Sequence, residues 1–182
     1  MKHFISYLIV LSFVIGNFHT AAGQTPPKIP VDDDTKLVTY TEVIDQTGTK
    51  DELYTRAIMW FNSYYKNPQG VTKVRDKDNG KIEGRANLKV YNFDKDGNKS
   101  PAYMTSYTIK MDFKDGKYKY VITDFSIKMT SRIPMEQWLD KTSPNYTPQC
   151  DNYLIQIDDI IKDLIKKMKE GMKPKVEKKD DW

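Results

Sequence analysis

Three short turn signals divide the middle of the chain into segments of alternating polarity. They are the pairs Asn79-Gly80, Asp96-Gly97 and Asp115-Gly116. Such pairs favour tight hairpin turns, because Gly, Asn and Asp adopt positive φ angles at little cost. Since three turns join four strands, the sequence after Val71 predicts four successive antiparallel strands, a meander.

The alternation within these strands predicts a sheet with one buried and one solvent-facing side. The apolar set is Ile82, Gly84, Ala86, Leu88 and Val90 in the second strand, and Tyr103, Tyr107, Ile109, Met111 and Phe113 in the third. In the fourth strand Tyr118, Tyr120 and Ile122 share one phase, whereas Phe125, Ile127 and Met129 share the other. We expect a β-bulge near Thr123 and Asp124, because one extra residue reverses the phase.

The segments on both sides of the meander predict one more strand and two helices. The stretch from Leu37 to Ile44 is rich in β-branched and aromatic residues and predicts a strand. Thr49 and Glu52 form a capping box, which starts a helix that runs to about Lys66. A second helix is predicted from about Asp151 to Glu170 by apolar residues at steps of three and four. The predicted fold class is α+β: a single antiparallel sheet, ordered strand, helix, four-strand meander, helix, with the helices on one face.

Three passages of the chain carry a resemblance to a known family. They are the opening strand with the preceding Ile29-Pro30-Val31, the helix from Leu53-Tyr54-Thr55-Arg56-Ala57 to Trp60, and the strand entry Gly80-Lys81-Ile82-Glu83-Gly84. Together they resemble the DUF4468 family, secreted bacterial domains of unknown function with a TBP-like fold. The likeness runs from about Val31 to Met129. It implies a TBP-like sheet and supplies no catalytic residues, and likeness to a DNA-binding fold does not transfer DNA binding.

The first 23 residues have the organisation of a secretory signal peptide. Lys2 precedes an apolar run from Phe4 to Ile15, and the small residues Ala21-Ala22-Gly23 follow. The run is too short to span a membrane as a helix. We therefore expect cleavage after Gly23 and export to the periplasm or beyond. We expect no lipid anchor of the bacterial lipoprotein type, because no cysteine directly follows the apolar run.

The rest of the chain divides into four further segments. We expect residues 24–35 to form an extended, poorly ordered lead-in and residues 36–130 to form the TBP-like domain. Residues 131–171 contain a connection and the C-terminal amphipathic helix, and residues 172–182 predict a charged, disordered tail. The single cysteine, Cys150, is either buried and inert or exposed and able to link two chains.

Several kinds of catalytic and metal site require side chains that the chain lacks once the predicted signal peptide is removed. Both histidines, His3 and His19, lie in the predicted signal peptide. Its removal excludes serine–histidine and cysteine–histidine catalysis, histidine metal sites and an intramolecular disulfide. The acidic turns that begin at Asp76 and Asp94 do not match a calcium loop, because the required glycine and glutamate are not at positions 6 and 12. We expect no metal and no cofactor.

The solvent-facing side of the predicted sheet is the main candidate site. Its polar side chains are Glu83, Arg85, Asn87, Lys89, Lys110, Lys117 and Lys119. One interpretation is a binding platform for an anionic glycan, peptide or partner protein of the envelope. The other is simple solubility, since charged cross-strand pairs are common on exposed sheets. A net charge of +4 falls short of the concentrated basic surface of a nucleic-acid binder, so we expect no nucleic-acid partner.

Our preferred prediction is a non-catalytic binding or structural module of the bacterial cell envelope, with an envelope protein or a glycan as partner. One alternative is a histidine-free hydrolase that uses Asp or Glu, for which Glu42 and Glu83 are the strand glutamates to test. A second alternative is a peripheral membrane binder, which would place the basic residues 151–179 on an anionic surface.

Overall fold

A six-stranded antiparallel sheet forms the centre of the computed structural model, which describes residues 28–174. The strands are β1 (Tyr40–Asp45), β2 (Thr72–Asp76), β3 (Lys81–Phe93), β4 (Lys99–Lys114), β5 (Lys117–Lys128) and β6 (Arg132–Pro134). The helices are α1 (Lys50–Tyr64), α2 (Pro68–Val71) and α3 (Gln149–Gly171), and a 3₁₀ helix spans Met135–Trp138. The predicted signal peptide and residues 175–182 of the predicted tail lie outside the described residues.

The meander has the predicted hairpins, and its turns are stabilised by short polar side chains. Strand order is β1-β5-β4-β3-β2, and β6 pairs with the end of β5. Asp76 accepts hydrogen bonds from the side-chain amide and the backbone N–H of Asn79, and Asp94 accepts the same two from Asn98. These bonds, the side-chain ones first, lower the pKa of both carboxyl groups. The two acids therefore close hairpin turns.

The phase reversal in β5 is a β-bulge, as predicted. Thr108 pairs with Thr123 whereas Ser106 pairs with Ser126, so β5 has one residue more than β4 in this interval. Asp124 lies in the bulge with a φ of 54°, a left-handed conformation that is uncommon outside glycine. The bulge returns the next apolar residues of β5 to the buried side of the sheet.

Helix α1 begins at the predicted capping box. Thr49 Oγ1 accepts a hydrogen bond from the Glu52 N–H, and Glu52 Oε2 accepts one of 2.8 Å from the Thr49 N–H. The helix ends at Tyr64 rather than at the predicted Lys66, because Tyr65 has an extended backbone. Its buried residues, which pack towards the sheet, are Leu53, Tyr54, Ala57, Trp60 and Phe61.

Gly84 lets α1 approach the sheet closely. A Cβ atom at this position would lie 2.9 Å from Phe61 Cε1 and 3.3 Å from Ile109 Cγ2. We expect Gly84→Ala to lower the free energy of unfolding by about 1–3 kcal/mol, because the phenyl ring has to shift in a packed core. Urea unfolding measures the effect, and the same substitution in a Phe61→Leu background is the control. If Gly84→Ala lowers the free energy of unfolding equally in the Phe61→Leu protein, the contact with the Phe61 ring is not the cause.

Helix α3 docks on the core of the protein through its apolar stripe. The buried residues of the helix are Cys150, Tyr153, Leu154, Ile157, Asp158, Ile161, Leu164 and Met168. The Asp158 carboxylate accepts hydrogen bonds from the Tyr40 hydroxyl at 3.0 Å and from Lys162 Nζ at 2.6 Å. A Cβ atom on Gly171 would lie 2.7 Å from Trp60. The helix is thus tied to both β1 and α1.

Two segments expected to be loosely ordered pack against the core instead. In the predicted lead-in, Ile29 is 8% exposed and Val31 pairs with Val38. The side chain of Asp32 closes the turn between them. The prediction of a poorly ordered lead-in is therefore wrong for its described part, because this turn folds Ile29 back onto the core. The predicted disordered tail likewise begins with a buried residue, Met172.

The connection after the meander contains structure that no sequence pattern indicated. Strand β6 pairs with β5, and Ile133, Met135 and Trp138 are buried. Cys150, at the start of α3, is 3% exposed, and its sulfur accepts a hydrogen bond from the Thr147 N–H. A thiol in this position does not link two chains, which supports the inert interpretation.

Candidate functional site

Helices α1 and α3 cover one face of the sheet, and alternate residues of each strand point to the opposite side. We call that opposite side the open face. We use the name for the following residues: Thr41, Val43 and Asp45 of β1, Val74 and Asp76 of β2, Lys81, Glu83, Arg85, Asn87 and Lys89 of β3, Met104, Ser106, Thr108, Lys110, Asp112 and Lys114 of β4, Lys117, Lys119, Val121, Thr123, Asp124, Ser126 and Lys128 of β5, and Arg132 of β6.

The strand register brings all seven predicted binding residues onto the open face. Glu83 lies opposite Lys110, and Lys119 lies opposite Asp112 on the next pair of strands. The other predicted residues follow the same alternation: Arg85, Asn87, Lys89 and Lys117. Glu83 is half-buried and the other six side chains are exposed. The residues that were predicted from alternation alone therefore form one continuous surface.

The open face is rich in positive charge. Its nine cationic residues are Lys81, Arg85, Lys89, Lys110, Lys114, Lys117, Lys119, Lys128 and Arg132. Its carboxylates are Asp45, Asp76, Glu83, Asp112 and Asp124. The excess of four positive charges equals the net charge of the entire chain. Folding thus brings onto one face of the sheet positive charges that are dispersed along the sequence.

Ion pairs do not neutralise these charges. Among residues 28–174, every ion pair within 4.0 Å includes a residue of α1 or α3. Glu83 and Lys110 face each other in register without such a pair, as do Asp112 and Lys119. Ion pairs between exposed side chains contribute little free energy in any case. The lysines of the open face are therefore free to contact a ligand.

Two clefts on the open face share Asp112. The larger, of about 400 Å³, is lined by Val43, Asp112, Lys114, Lys117, Tyr118 and Lys119. The smaller, of about 210 Å³, is lined by Val74, Lys81, Ile82, Glu83, Lys110, Met111 and Asp112. Lysine ammonium groups border both clefts, and such groups bind carboxylate and phosphate oxygens through charge-assisted hydrogen bonds.

Four cations of the open face were missed by the sequence prediction. Lys81, Lys114 and Lys128 follow the alternation of their strands, so the period-two pattern already contained their signal. Arg132 lies in β6, and no alternation in the three residues of that strand could have indicated it. Its position depends on the pairing of β6 with β5.

Glu42 and Glu83 do not form a carboxylate pair. Glu42 lies on the helix-covered side, where it accepts hydrogen bonds from Lys169 Nζ at 2.7 Å and from the Tyr120 hydroxyl at 3.1 Å. The Lys169 hydrogen bond, above all, lowers the pKa of Glu42. Since Glu83 lies on the open face, the sheet separates the two carboxylates. They cannot act on one glycosidic bond, which requires two carboxylates flanking the same cleft.

The basic C-terminal helix has no free apolar stripe. A helix that lies on a membrane surface inserts its apolar face between the lipids, and that face of α3 is buried in the protein's own core. In the docked position, the exposed charged residues of the helix are of both signs: Lys162, Lys166 and Lys167 with Asp159, Asp163 and Glu170. Within residues 28–174, no helix is long and apolar enough to cross a membrane.

Comparisons with known proteins agree with this architecture. Residues 40–128 match the model of a family described as a domain of unknown function (DUF4468) with TBP-like fold. A TBP-like protein from Parabacteroides distasonis ATCC 8503 is similar in structure, with a TM-score of 0.63, 13% identity, and 79% of this chain and 96% of that chain covered. A DUF4468 family protein from Bacteroides ovatus ATCC 8483 gives a TM-score of 0.64 and 12% identity, with 82% and 93% covered. No curated protein matches the sequence.

At these identities the likeness concerns the fold alone. The predicted α+β class and TBP-like fold are confirmed. The solved structures cover about four-fifths of this chain, whereas the family model ends at Lys128. The shared architecture therefore extends beyond the segment that the sequence resemblance covers.

Proposed function

We propose a function from the open face itself, because residues 40–128 of this chain belong to the DUF4468 family, whose function is unknown. In this proposal the protein is a non-catalytic module that binds an extended anionic chain of the cell envelope, a glycan or an acidic peptide. The observation that carries the proposal is the cluster of cations on a sheet face that, within residues 28–174, has no ion pair and no covering helix. A charged face of this kind attracts and orients a partner of opposite charge.

The dimensions of the open face favour an extended ligand. From Lys81 to Lys89 the strand rises about 27 Å, at roughly 3.4 Å per residue. Five neighbouring strands add about 19 Å of width, at roughly 4.8 Å per strand. The cations are spread along and across this area instead of being gathered at one point. A linear polyanion along the lysine rows fits this area better than a globular partner does.

Among the described residues, the part of the open face that carries the lysine rows has no aromatic residue, which argues against single-stranded nucleic acid. Proteins that bind such strands combine cations with aromatic rings on which the bases stack. Tyr91 and Phe93 lie on the same side of β3, but beyond Lys89, where Phe93 is 58% exposed. The aromatic residues of β4 and β5 lie on the helix-covered side, as Tyr107, Phe113 and Tyr120 illustrate. A polyanion without bases is the better match.

Export is part of the proposal. Residues 1–23 have the pattern of a signal peptide, and removal of that segment leaves a protein that meets envelope polymers rather than cytoplasmic ones.

A paired charge reversal tests the proposed site. In the variant Lys110→Glu/Lys119→Glu we expect binding to immobilised poly-L-glutamate, and to polygalacturonate as the glycan probe, to weaken about tenfold or more at low salt. This corresponds to about 1.4 kcal/mol, since four units of charge are changed at the centre of the face. Equilibrium binding at several salt concentrations measures the effect, because exposed charges are screened by salt.

The matched control is Lys66→Glu/Lys166→Glu, which changes the net charge equally but on the helix side of the molecule. We expect it to bind both probes nearly as well as the native protein. Equal weakening by the two double variants would mean that only the net charge matters, and it would contradict the open face as the site. Circular dichroism of each variant shows that the fold is retained.

A further inference from the structure

A cleft of about 550 Å³ lies at the end of the open face, beside the β5 bulge. Its polar lining comes from four separate elements: Arg85 of β3, Asp124 and Ser126 of β5, Arg132 of β6 and Glu136 of the 3₁₀ helix. None of the lysines of the two clefts described above lines it. It is therefore a separate concavity with a different chemistry.

Two of the chain's four arginines reach this cleft from opposite sides. Arg132 Nη1 lies 3.4 Å from Ser106 Oγ, so the side chain extends from β6 across β5 to β4. Arg85 lines the cleft from β3, on the other side of β4. The hydroxyl oxygens of Ser106 and Ser126 lie 2.7 Å apart between them. Guanidinium groups that converge over hydroxyl groups are suited to bind a carboxylate.

Two carboxylates share the cleft, and neither neutralises an arginine. Among the described residues, no carboxylate oxygen lies within 4.0 Å of Arg85 or Arg132. Glu136 Oε1 accepts a hydrogen bond of 2.7 Å from the Val38 N–H, but Oε2 is buried and has no hydrogen-bond partner within residues 28–174. A buried acceptor without a donor is unfavourable. Asp124 is held beside the arginines by the left-handed bulge.

The balance of charges in the cleft selects the type of ligand. Two guanidinium groups and two carboxylates give the cleft no net charge, so a simple anion meets as much repulsion as attraction. A ligand with one negative and one positive group a few ångströms apart gains from both pairs. Leu37 and Ile133 add an apolar wall, and the volume is typical of small-molecule sites.

We propose that this cleft binds a zwitterion, either a free α-amino acid or a short peptide with free ends. Arg85 and Arg132 bind its carboxylate, Asp124 accepts a hydrogen bond from its ammonium group, and the negative charge of Glu136 adds attraction for that ammonium group. The apolar wall contacts its side chain. This site does not depend on the polyanion function proposed above, because that function is tested at the lysine rows, and none of the lysines of the two lysine clefts lines the arginine cleft.

Calorimetric titration with leucyl-leucine and three analogues tests the proposal. The analogues are leucyl-leucinamide, which lacks the carboxylate, N-acetyl-leucyl-leucine, which lacks the ammonium group, and inorganic phosphate. We expect the free dipeptide to bind, and each blocked dipeptide to bind about tenfold more weakly or worse, because each loses one charge-assisted contact. No binding of the dipeptide, or phosphate binding as tight as that of the dipeptide, would overturn the proposal.

Two single substitutions assign the two charges to residues. In Arg132→Gln we expect the preference for the free dipeptide over its amide to disappear. In Asp124→Asn we expect the preference over the N-acetyl form to fall, and asparagine tolerates the left-handed backbone at this position. Arg75→Gln, an exposed arginine of β2 outside the cleft, is the matched control and should bind like the native protein. If Arg75→Gln weakens binding as much as Arg132→Gln does, the site is elsewhere.

The charge-reversal variant Lys110→Glu/Lys119→Glu separates this proposal from the previous one. It leaves the arginine cleft intact, so we expect its affinity for leucyl-leucine to stay within about twofold of the native value. A loss of dipeptide binding in this variant would place the dipeptide on the lysine rows and overturn the proposal.

Discussion

Ile161→Ala is expected to lower the free energy of unfolding by about 2–5 kcal/mol, because it removes buried methyl groups and leaves a cavity that rigid neighbours do not fill. Ile161 is fully buried in the middle of α3. This helix lies outside residues 40–128, which match the family, yet it packs against both β3 and α1. Urea unfolding followed by circular dichroism measures the loss.

Ile155→Ala is the matched control for that experiment, since it makes the same change on the same helix. Ile155 is half-buried and does not belong to the residues that pack against the core. Its substitution is expected to cost less than about 1 kcal/mol, as is usual away from the core. Equal losses at the two positions would show that helix propensity, and not docking of the apolar stripe, determines the stability of α3.

Alkaline unfolding is the second large effect, expected between pH 10 and about pH 12. Burial raises the pKa of Tyr118 to about 12, and burial also raises the pKa of Tyr40, Tyr107 and Tyr120. In the unfolded chain these phenols ionise near their ordinary pKa of about 10. The unfolded state therefore releases protons first, and stability decreases as the pH rises.

The size of the alkaline loss of stability follows from the raised pKa values of the buried tyrosines. The stability that a neutral buried tyrosine contributes is complete below the unfolded pKa and is lost as the pH rises through the folded pKa. Two pKa units for Tyr118 correspond to roughly 2.7 kcal/mol, at about 1.36 kcal/mol per unit. A native domain has only about 5–15 kcal/mol of stability in total. By pH 12 four such tyrosines together remove roughly 11 kcal/mol, which is of the same size as that total.

Absorbance at 295 nm and far-ultraviolet circular dichroism, recorded on the same samples, measure ionisation and unfolding together. We expect the ionisation of the buried tyrosines and the unfolding of the protein to occur at the same pH. Tyr118→Phe should move the midpoint to higher pH without loss of stability at pH 7, because the Tyr118 hydroxyl is buried and has no hydrogen-bond partner in the described part of the chain. Tyr120→Phe should lose stability at pH 7, because Tyr120 donates to Glu42. Ionisation of all tyrosines near pH 10 with an unchanged dichroism spectrum would contradict this account.

The candidate site was largely predictable because it depends on strand alternation. Lys110 and Glu83 lie on one face simply because each is an odd number of residues from a buried neighbour, Ile109 or Ile82. Alternation cannot tell which strands are neighbours, however. Glu42 shows the consequence, since its strand pairs with β5 and directs it to Lys169 on the helix side. The hydrolase interpretation depended on that unknown pairing.

The elements that local chemistry determines were visible in the sequence by itself. Asn79-Gly80 specifies a turn through backbone energetics within a few residues, Thr49 and Glu52 start a helix through reciprocal hydrogen bonds, and the phase slip at Asp124 marks a bulge. Each of these signals acts over a distance shorter than one element. This is why they survive in an isolated sequence.

Tertiary structure alone decided the contacts that join distant segments. The burial of Ile29 in the core, the packing of Trp138 against Tyr103, and the convergence of Arg85 and Arg132 on one cleft each depend on packing between residues far apart in the chain. The sequence pattern encodes which face a side chain occupies. Burial of apolar surface across the whole domain decides which other segment lies on that face. The hydrophobic effect is non-directional, so it leaves no local pattern in the sequence.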